Sequence, residues 1–315
     1  MPVRKTTSAV TVLGLTAFAL VGCAQAQAPE TSTECGRADG ASSALDSVSV
    51  EGDFLTETPT ITAPASFHST GVQYRDQVEG NGAVVTSEEQ PVVLSVDFVN
   101  PATQESVALS PVPAMTIAAW QDMLPGLGDA LKCAAEGSRV IAALGETGMN
   151  EDFGGQLPSY IATDGSDLDL GDVITVIDVE RVYLGAADGS LVYNAGGGMP
   201  SVVRAENGVP GITIPGSTAP TSQKTETLLK GDGDEIADGD TVTVHYTSVS
   251  WATSSVSSST WDSGTPASST LDELPDGFAD ALKGATVGSQ VITVVPGDDG
   301  AATVSVIDVL GVDKP

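Results

Sequence analysis

Apolar and polar positions alternate over Val242-Thr243-Val244-His245-Tyr246-Thr247, the two-residue period of a half-buried strand. Leu274-Pro275-Asp276-Gly277-Phe278-Ala279-Asp280-Ala281-Leu282-Lys283-Gly284 reads as a short helix closed by a glycine. Val287 to Pro296 is a further strand, and Ala302 to Val309 the last one. The turns carry Gly231-Asp232-Gly233 and Gly239-Asp240.

The same order occurs earlier in the chain. Glu79-Gly80-Asn81-Gly82 parallels Lys230-Gly231-Asp232-Gly233. The apolar-rich run Pro91 to Phe98 parallels Thr241 to Tyr246. Leu124 to Lys132 parallels Pro275 to Lys283 in one register, and Gly137-Ser138-Arg139-Val140-Ile141 parallels Gly288-Ser289-Gln290-Val291-Ile292. Val173 to Val179 parallels the final strand up to Val309. Five matches in order point to an internal repeat. The expected organisation is a repeat over 41–184, a Gly/Pro-rich linker over 185–221, and a second repeat over 222–315. In the linker, Gly196-Gly197-Gly198 is flexible, and Val209 to Pro215 reads as an extended strip that either packs along a sheet or only provides reach.

The N-terminus changes the picture of the compartment. Arg4 and Lys5 precede an apolar run, Ala9 to Val21, of roughly a dozen residues, short for a bilayer span. Leu20-Val21-Gly22-Cys23 resembles the bacterial lipobox. The expectation is a signal peptide over 1–22, a lipidated Cys23 and a flexible tether over 23–40. The alternative is an ordinary cleaved signal with a coincidental cysteine. The expected location is extracytoplasmic, on the membrane through the lipid. With Cys23 modified, Cys35 and Cys133 remain as a pair, and outside the cell a pair persists as a disulfide. Two free thiols are the alternative, and the absence of Cys-x-x-Cys argues against a redox site.

Net charge is −30 with only twelve basic residues, and these are not clustered. A nucleic-acid partner is therefore not expected, because phosphate neutralisation needs clustered Lys and Arg. His68 and His245 lack a paired metal-ligand spacing, and Asp232, Asp234, Asp238 and Asp240 lack the spaced Gly and Glu of a calcium loop. These aspartates read as turn residues.

The motifs Gly231-Asp232-Gly233, Gly239-Asp240 with the strand to Tyr246, Trp261-Asp262-Ser263, Leu274 to Leu282 and Val287-Gly288 resemble, in order, the FKBP-type peptidyl-prolyl cis/trans isomerases. The resemblance implies an α+β fold of two FKBP-like domains, each a curved antiparallel sheet wrapped around a short helix. It implies isomerisation of X-Pro bonds in proline-containing polypeptide clients, with no cofactor and no metal. It gives Tyr246 a hydroxyl beside an apolar wall, Trp261 one side of the pocket, and Asp262 its rim. Phe278 would be the floor, and Ile307 would close the far side. Leu274 and Pro275 match the step whose backbone N–H binds the substrate carbonyl, although Pro275 has no N–H.

The sequence also departs from the family. Pro296 to Gly300 runs almost directly into the last strand, without the family's long loop and its Tyr. Ser269 falls where a pocket Phe is common, and Ser248 replaces a Gly. In the first repeat Phe98 is expected at the place of the pocket Tyr and Leu127 at the floor, so that copy reads as degenerate. Met149 to Tyr160 would be its long loop. Against the enzyme stand two other readings: a non-catalytic binding or chaperone-type module, and a purely structural surface protein.

Overall fold

The computed structural model describes residues 35–37, 44–55, 59–64, 66–109, 112–194, 196–298 and 301–315. The signal peptide, Cys23 and the tether up to residue 34 lie outside the described residues. Among the described residues no helix is long and apolar enough to cross a membrane.

In chain order the elements of the first half are β1 (Ser49–Glu51), β2 (Thr60–Thr62), β3 (Gln73–Val78), β4 (Pro91–Val99), β5 (Ser106–Leu109), β6 (Met115–Thr116), α1 (Ile117–Gln121), α2 (Leu127–Leu131), β7 (Arg139–Ala143), α3 (Glu151–Gln156), α4 (Pro158–Ile161) and β8 (Ile174–Val182). Between the halves lie β9 (Ser190–Leu191), β10 (Ser201–Arg204) and β11 (Pro210–Thr213). The second half has β12 (Lys224–Lys230), β13 (Thr241–Ser250), β14 (Val256–Ser259), β15 (Ala267–Thr270), α5 (Phe278–Leu282), β16 (Gln290–Pro296) and β17 (Ala302–Asp313).

The strands form two main antiparallel sheets. The first runs β3-β7-β8-β4-β5, with β6 also on β4. The second runs β12-β16-β17-β13-β14, with β15 also on β13 and β9 beyond β12. Strand by strand the order is the same. The register agrees as well: Val140 faces Ile177 in the first sheet, and Val291 faces Ile307 in the second. Both long strands β4 and β13 slip by one residue against their partners, between Val93 and Leu94 and between Thr243 and Val244. A bulge of this kind bends a strand and increases its twist.

Small residues make the tight corners. Gly231 donates its N–H to Ser289 Oγ, and a Cβ on it would lie 2.0 Å from the Val287 carbonyl oxygen. Gly80 repeats the arrangement with Ser138 and the Glu136 carbonyl. The Gly-x-Gly signature is thus a backbone-to-backbone approach that no side chain fits.

The front of each sheet packs on its helices. In the first half Leu94, Val96, Phe98, Val140 and Ile177 meet Ile117, Trp120, Leu127 and Leu131. In the second, Val242, Val244, Val291, Ile307 and Val309 meet Phe278 and Leu282. Full burial of one such side chain contributes about 1.5–3 kcal/mol.

The backs are covered by chain that precedes each sheet. β1 and β2 pair and bring Val48, Val50 and Ile61 onto Ile141, Ile174 and Val176. β10 and β11 pair and bring Val202, Ile212 and Ile214 onto Ile292, Val294, Val304 and Val306. The stretch 185–221 is therefore folded, and its strip Val209 to Pro215 supplies β11. Met149 to Tyr160, expected as a loop, carries α3 and all but the last residue of α4. Asn150 caps α3 by accepting from the Phe153 N–H, and the Phe153 ring lies 5.1 Å from that of Phe98.

Cys35 and Cys133 are bonded, with Cα atoms 5.6 Å apart. Arg37 reinforces the connection through two bonds to Asp76 of 2.6 Å and by lying 4.4 Å above the Tyr74 ring. The two halves touch directly. Tyr183 donates its hydroxyl to Asp313 at 2.6 Å, Arg181 pairs with Asp313 at 2.8 Å, and Leu184 donates to the Leu310 carbonyl. Burial and the neighbouring Asp313 carboxylate both push the Tyr183 phenol upward.

Candidate functional site

Four of the seven expected pocket residues gather on the front of the second sheet. Tyr246 is half-buried on β13, with Ile307 opposite it on β17. Phe278 opens α5 after Gly277, whose φ of +81° turns the chain into the helix. The Phe278 ring meets Tyr246 edge-on, with centroids 5.1 Å apart and planes at 90°. Edge-to-face pairs of this kind contribute about 0.5–1.5 kcal/mol beyond burial. Leu274 belongs to the same cluster. Phe278 is 1% exposed and Ile307 is fully buried, whereas Tyr246 is partly open to solvent.

Pro275 is exposed, and its carbonyl accepts from the Phe278 N–H at 3.0 Å. It therefore serves the helix entry and has no N–H to offer a ligand.

Trp261 and Asp262 lie elsewhere. Successive residues of a strand point to opposite faces. His245 accordingly faces the back, 1% exposed, and the Trp261 ring stacks on it at 4.4 Å with planes 25° apart. The expected Trp261 wall of the Tyr246 pocket is thus corrected: Trp261 packs behind the sheet, beside Gly208 of the β10–β11 hairpin. Burial pushes the His245 imidazole down to about 4, which keeps it neutral at physiological pH. Asp262 is exposed, and the partner of the Tyr246 hydroxyl is Ser258 at 3.2 Å. Thr260 ties the two faces together. Its Oγ accepts from the Tyr246 N–H at 2.9 Å and meets His245 Nδ1 at 2.9 Å.

The departures found in the sequence have local explanations. Ser248 bonds Ser305 across the sheet at 2.7 Å, and Ser269 donates to Glu273 at 2.6 Å. In the first half the counterpart of Tyr246 is Val96, not Phe98. Val96 faces Ile177 as Tyr246 faces Ile307, whereas Phe98 takes the place of Ser248. The expected Phe98 equivalence fails because the aligned runs were of unequal length. Leu127 does occupy the place of Phe278.

Of the aspartates read as turn residues, Asp240 accepts from the Ala237 N–H at 2.8 Å and from Lys314 at 2.8 Å. The fold brings His68, Glu146 and Asp169 together at the surface, with possible ligand atoms within 4.8 Å of one another. His68 is already paired with Asp172 at 2.9 Å, and that bond raises its basicity.

The partly open Tyr246 ring over the buried Phe278 is an apolar spot with one hydroxyl at its edge. It is suited to binding a small apolar ring and a neighbouring carbonyl, not to nucleophilic or acid–base attack.

Residues 233–300 match the sequence model of the FKBP-type peptidyl-prolyl cis-trans isomerases. The chain is 29% identical over 99 residues to an FK506-binding protein of Streptomyces anulatus, covering 29% of this chain and 80% of that protein. Among solved structures it is similar to FkpA from Escherichia coli at 24% identity, covering 31% of this chain and 51% of that one, with a TM-score of 0.27. It is also similar to the three FKBP domains of wheat FKBP73, at 12% identity, covering 78% and 96% of the two chains with a TM-score of 0.31.

Proposed function

We propose that the second half of this chain, an FKBP-type peptidyl-prolyl cis-trans isomerase domain, works through the surface at Tyr246, Phe278, Leu274 and Ile307. The family acts on proline-containing polypeptides. The observation that carries the reading is the aromatic pair Tyr246–Phe278 on the front of the sheet, within the segment that matches the family.

Rotation about an X-Pro bond meets a barrier of about 18–20 kcal/mol, because the amide loses resonance when twisted. No bond need be made or broken to lower it. A site need only hold the twisted amide better than the planar one. Once the proline ring displaces solvent at Tyr246 and packs against Phe278, the adjacent carbonyl is in a drier setting. The twisted amide carbonyl is less stabilised by water than the planar one, so a dry surface favours it selectively. The Tyr246 hydroxyl, held by Ser258, is the donor at the rim. With Pro275 unable to donate, this hydroxyl carries more of the work.

The first half is the degenerate copy in this reading. Its sheet has the same order and register, but Val96 and Leu127 stand in place of the aromatic pair. The lipobox-like Leu20-Val21-Gly22-Cys23 supports an anchored, extracytoplasmic protein whose clients are exported chains.

The test is a protease-coupled isomerisation assay on the full chain with X-Pro peptides. Phe278→Leu, which copies the first half, is expected to lower kcat/KM about tenfold, or ~1.4 kcal/mol of transition-state stabilisation. A folded wild-type protein that accelerates no X-Pro peptide overturns the assignment. Burial of Phe278 and the proline at position 275 favour a second reading, a module that binds without catalysis. Saturable peptide binding without acceleration would select it.

A further inference from the structure

The segment joining β14 to β15, residues 260–266, passes from the back of the second sheet to its front. It starts behind the sheet with Trp261 on His245. It ends in front, with Pro266 buried and Ala267 packed on the cluster that holds Tyr246 and Phe278. Its apex is Gly264, at φ +62°. The Gly264 carbonyl accepts a 2.8 Å hydrogen bond from the backbone N–H of Thr116, which belongs to the other half of the molecule.

That contact is closely fitted. A Cβ on Gly264 would lie 2.4 Å from Thr116 Oγ1 and 2.9 Å from the Ala119 Cβ. Thr116 is itself fixed. It is the N-cap of α1, with φ −62° and ψ 153°, and its Oγ1 accepts from the Ala119 N–H at 3.1 Å. Thr260 ties the start of the segment to β13. Apart from the bond from Thr116, the bonds made by Trp261 to Thr265 stay within residues 259–265, such as Gly264 N–H to the Trp261 carbonyl and Thr265 N–H to Ser263 Oγ. Trp261 buries its indole N–H without a hydrogen-bond partner, and Asp262 and Ser263 are exposed. Bonds internal to a segment fix its shape and leave its placement past Thr260 to the packing of Trp261 and Pro266 and to the bond from Thr116.

We infer that Thr116 is a positioning residue for the isomerase site. Through Gly264 it fixes the far end of the segment, Pro266 and Ala267, against Tyr246. The first half thus holds the rim of a site that lies in the second. This inference rests on the site proposed above, and its failure is separable from that of the site.

Thr116→Pro removes the backbone donor together with the cap hydroxyl, and a φ of −62° with Met115 in a strand already suits proline. Thr116→Ala removes the cap and keeps the donor. In full-length protein, T116P is expected to raise KM for a prolyl peptide about fivefold with kcat unchanged, the size expected for one backbone hydrogen bond. T116S is expected at wild-type values and T116A close to them. G264A, which pushes against the same contact, is expected to raise KM alike, and the double variant T116P/G264A no further than either. Should T116P lose its fold by circular dichroism, G264A decides. Wild-type kinetics in T116P and G264A, while Phe278→Leu lowers activity, would overturn the inference and leave the site standing. A fall in kcat with KM unmoved would also overturn it, since that reports only lost folded protein. A folded wild-type chain with no isomerase activity would end both.

Discussion

Arg139 and Gln290 occupy one position in two sheets, and so do Asp178 and Asp308. In the first sheet the pair is a buried bidentate salt bridge, and Arg139 reaches on to the carbonyls of Gly52 and Asp53 beside β1. In the second, Gln290 donates to Asp308, and the other Asp308 oxygen accepts the Ala187 N–H ahead of β10. Each carboxylate thus ties down chain that precedes its sheet. One is paired directly with a cation, and the other accepts from two neutral donors, with the Arg204 charge acting on it from further off. The fronts differ in the same spirit: Val96 and Leu127 stand where the second sheet has the aromatic pair Tyr246 and Phe278. Packing accepts any apolar side chain of suitable volume, whereas the chemistry at each position is free to diverge.

The largest expected effect is on the salt bridge. Arg139→Met leaves a buried charge at Asp178 and should destabilise the first half by about 3–5 kcal/mol in urea unfolding. Gln290→Met should cost less, about 1–3 kcal/mol, because only one hydrogen bond to a charged group is lost. Equal losses would mean that the two pairs do the same work.

Next is the disulfide, which only the first half has. Cys35→Ser should lower stability by about 2–4 kcal/mol, because the unfolded chain regains the freedom of a long loop. No loss would show that Arg37 alone suffices to hold this segment.

Asp308 sharpens the comparison through pH. Burial pushes its carboxyl up to about 6, against the ordinary value of roughly 3.9 in an unfolded chain. Between those values the folded protein holds a proton that the unfolded chain has released. The contribution is fully present below about pH 4 and lost as pH rises through about 6, a fall of about 2–3 kcal/mol. Asp308→Asn should lack that slope, so the difference between wild type and variant should report it. His245, its cross-strand neighbour, has the opposite sign. With its imidazole at about 4, its contribution is present above roughly pH 6.5 and lost as pH falls toward 4. Thermal melts from pH 4 to 7 on wild type, D308N and H245Q would separate the two.

The smallest effect in energy is the exchange of floors. Leu127→Phe should give the first half no isomerase activity, since Val96 still lacks the hydroxyl, while costing about 1–3 kcal/mol through overpacking. Gain of activity in an L127F variant that also carries Phe278→Leu would show that the aromatic floor alone makes the site.

Much of this was legible in the residues. The alternation through Tyr246 became β13, and the glycine after Leu282 sits at φ +73° where α5 ends. The repeat showed through Gly80 and Gly231 because a backbone approach tolerates no substitute. Three features were not legible. The place of Tyr246 has no marker residue in β4, and matching the ends of two runs of unequal length put Phe98 where Val96 lies. Trp261 is an aromatic whose direction depends on the loop that carries it, and local pattern is silent on which face that loop follows. The strands β10 and β11 are short and flanked by Gly and Pro, and their apolar residues make sense only once the sheet back at Ile292 and Val306 is known.

The hairpins that cover the two sheet backs change what counts as one unit of inheritance. Each half has its own cover, β1–β2 or β10–β11, ahead of the outer long strand of its sheet, β3 or β12. A cut at residue 221 would therefore strip Ile292, Val294, Val304 and Val306 of their lid and leave a sticky sheet. A cut near residue 185 would carry the lid along. An excised second half should therefore begin ahead of the hairpin.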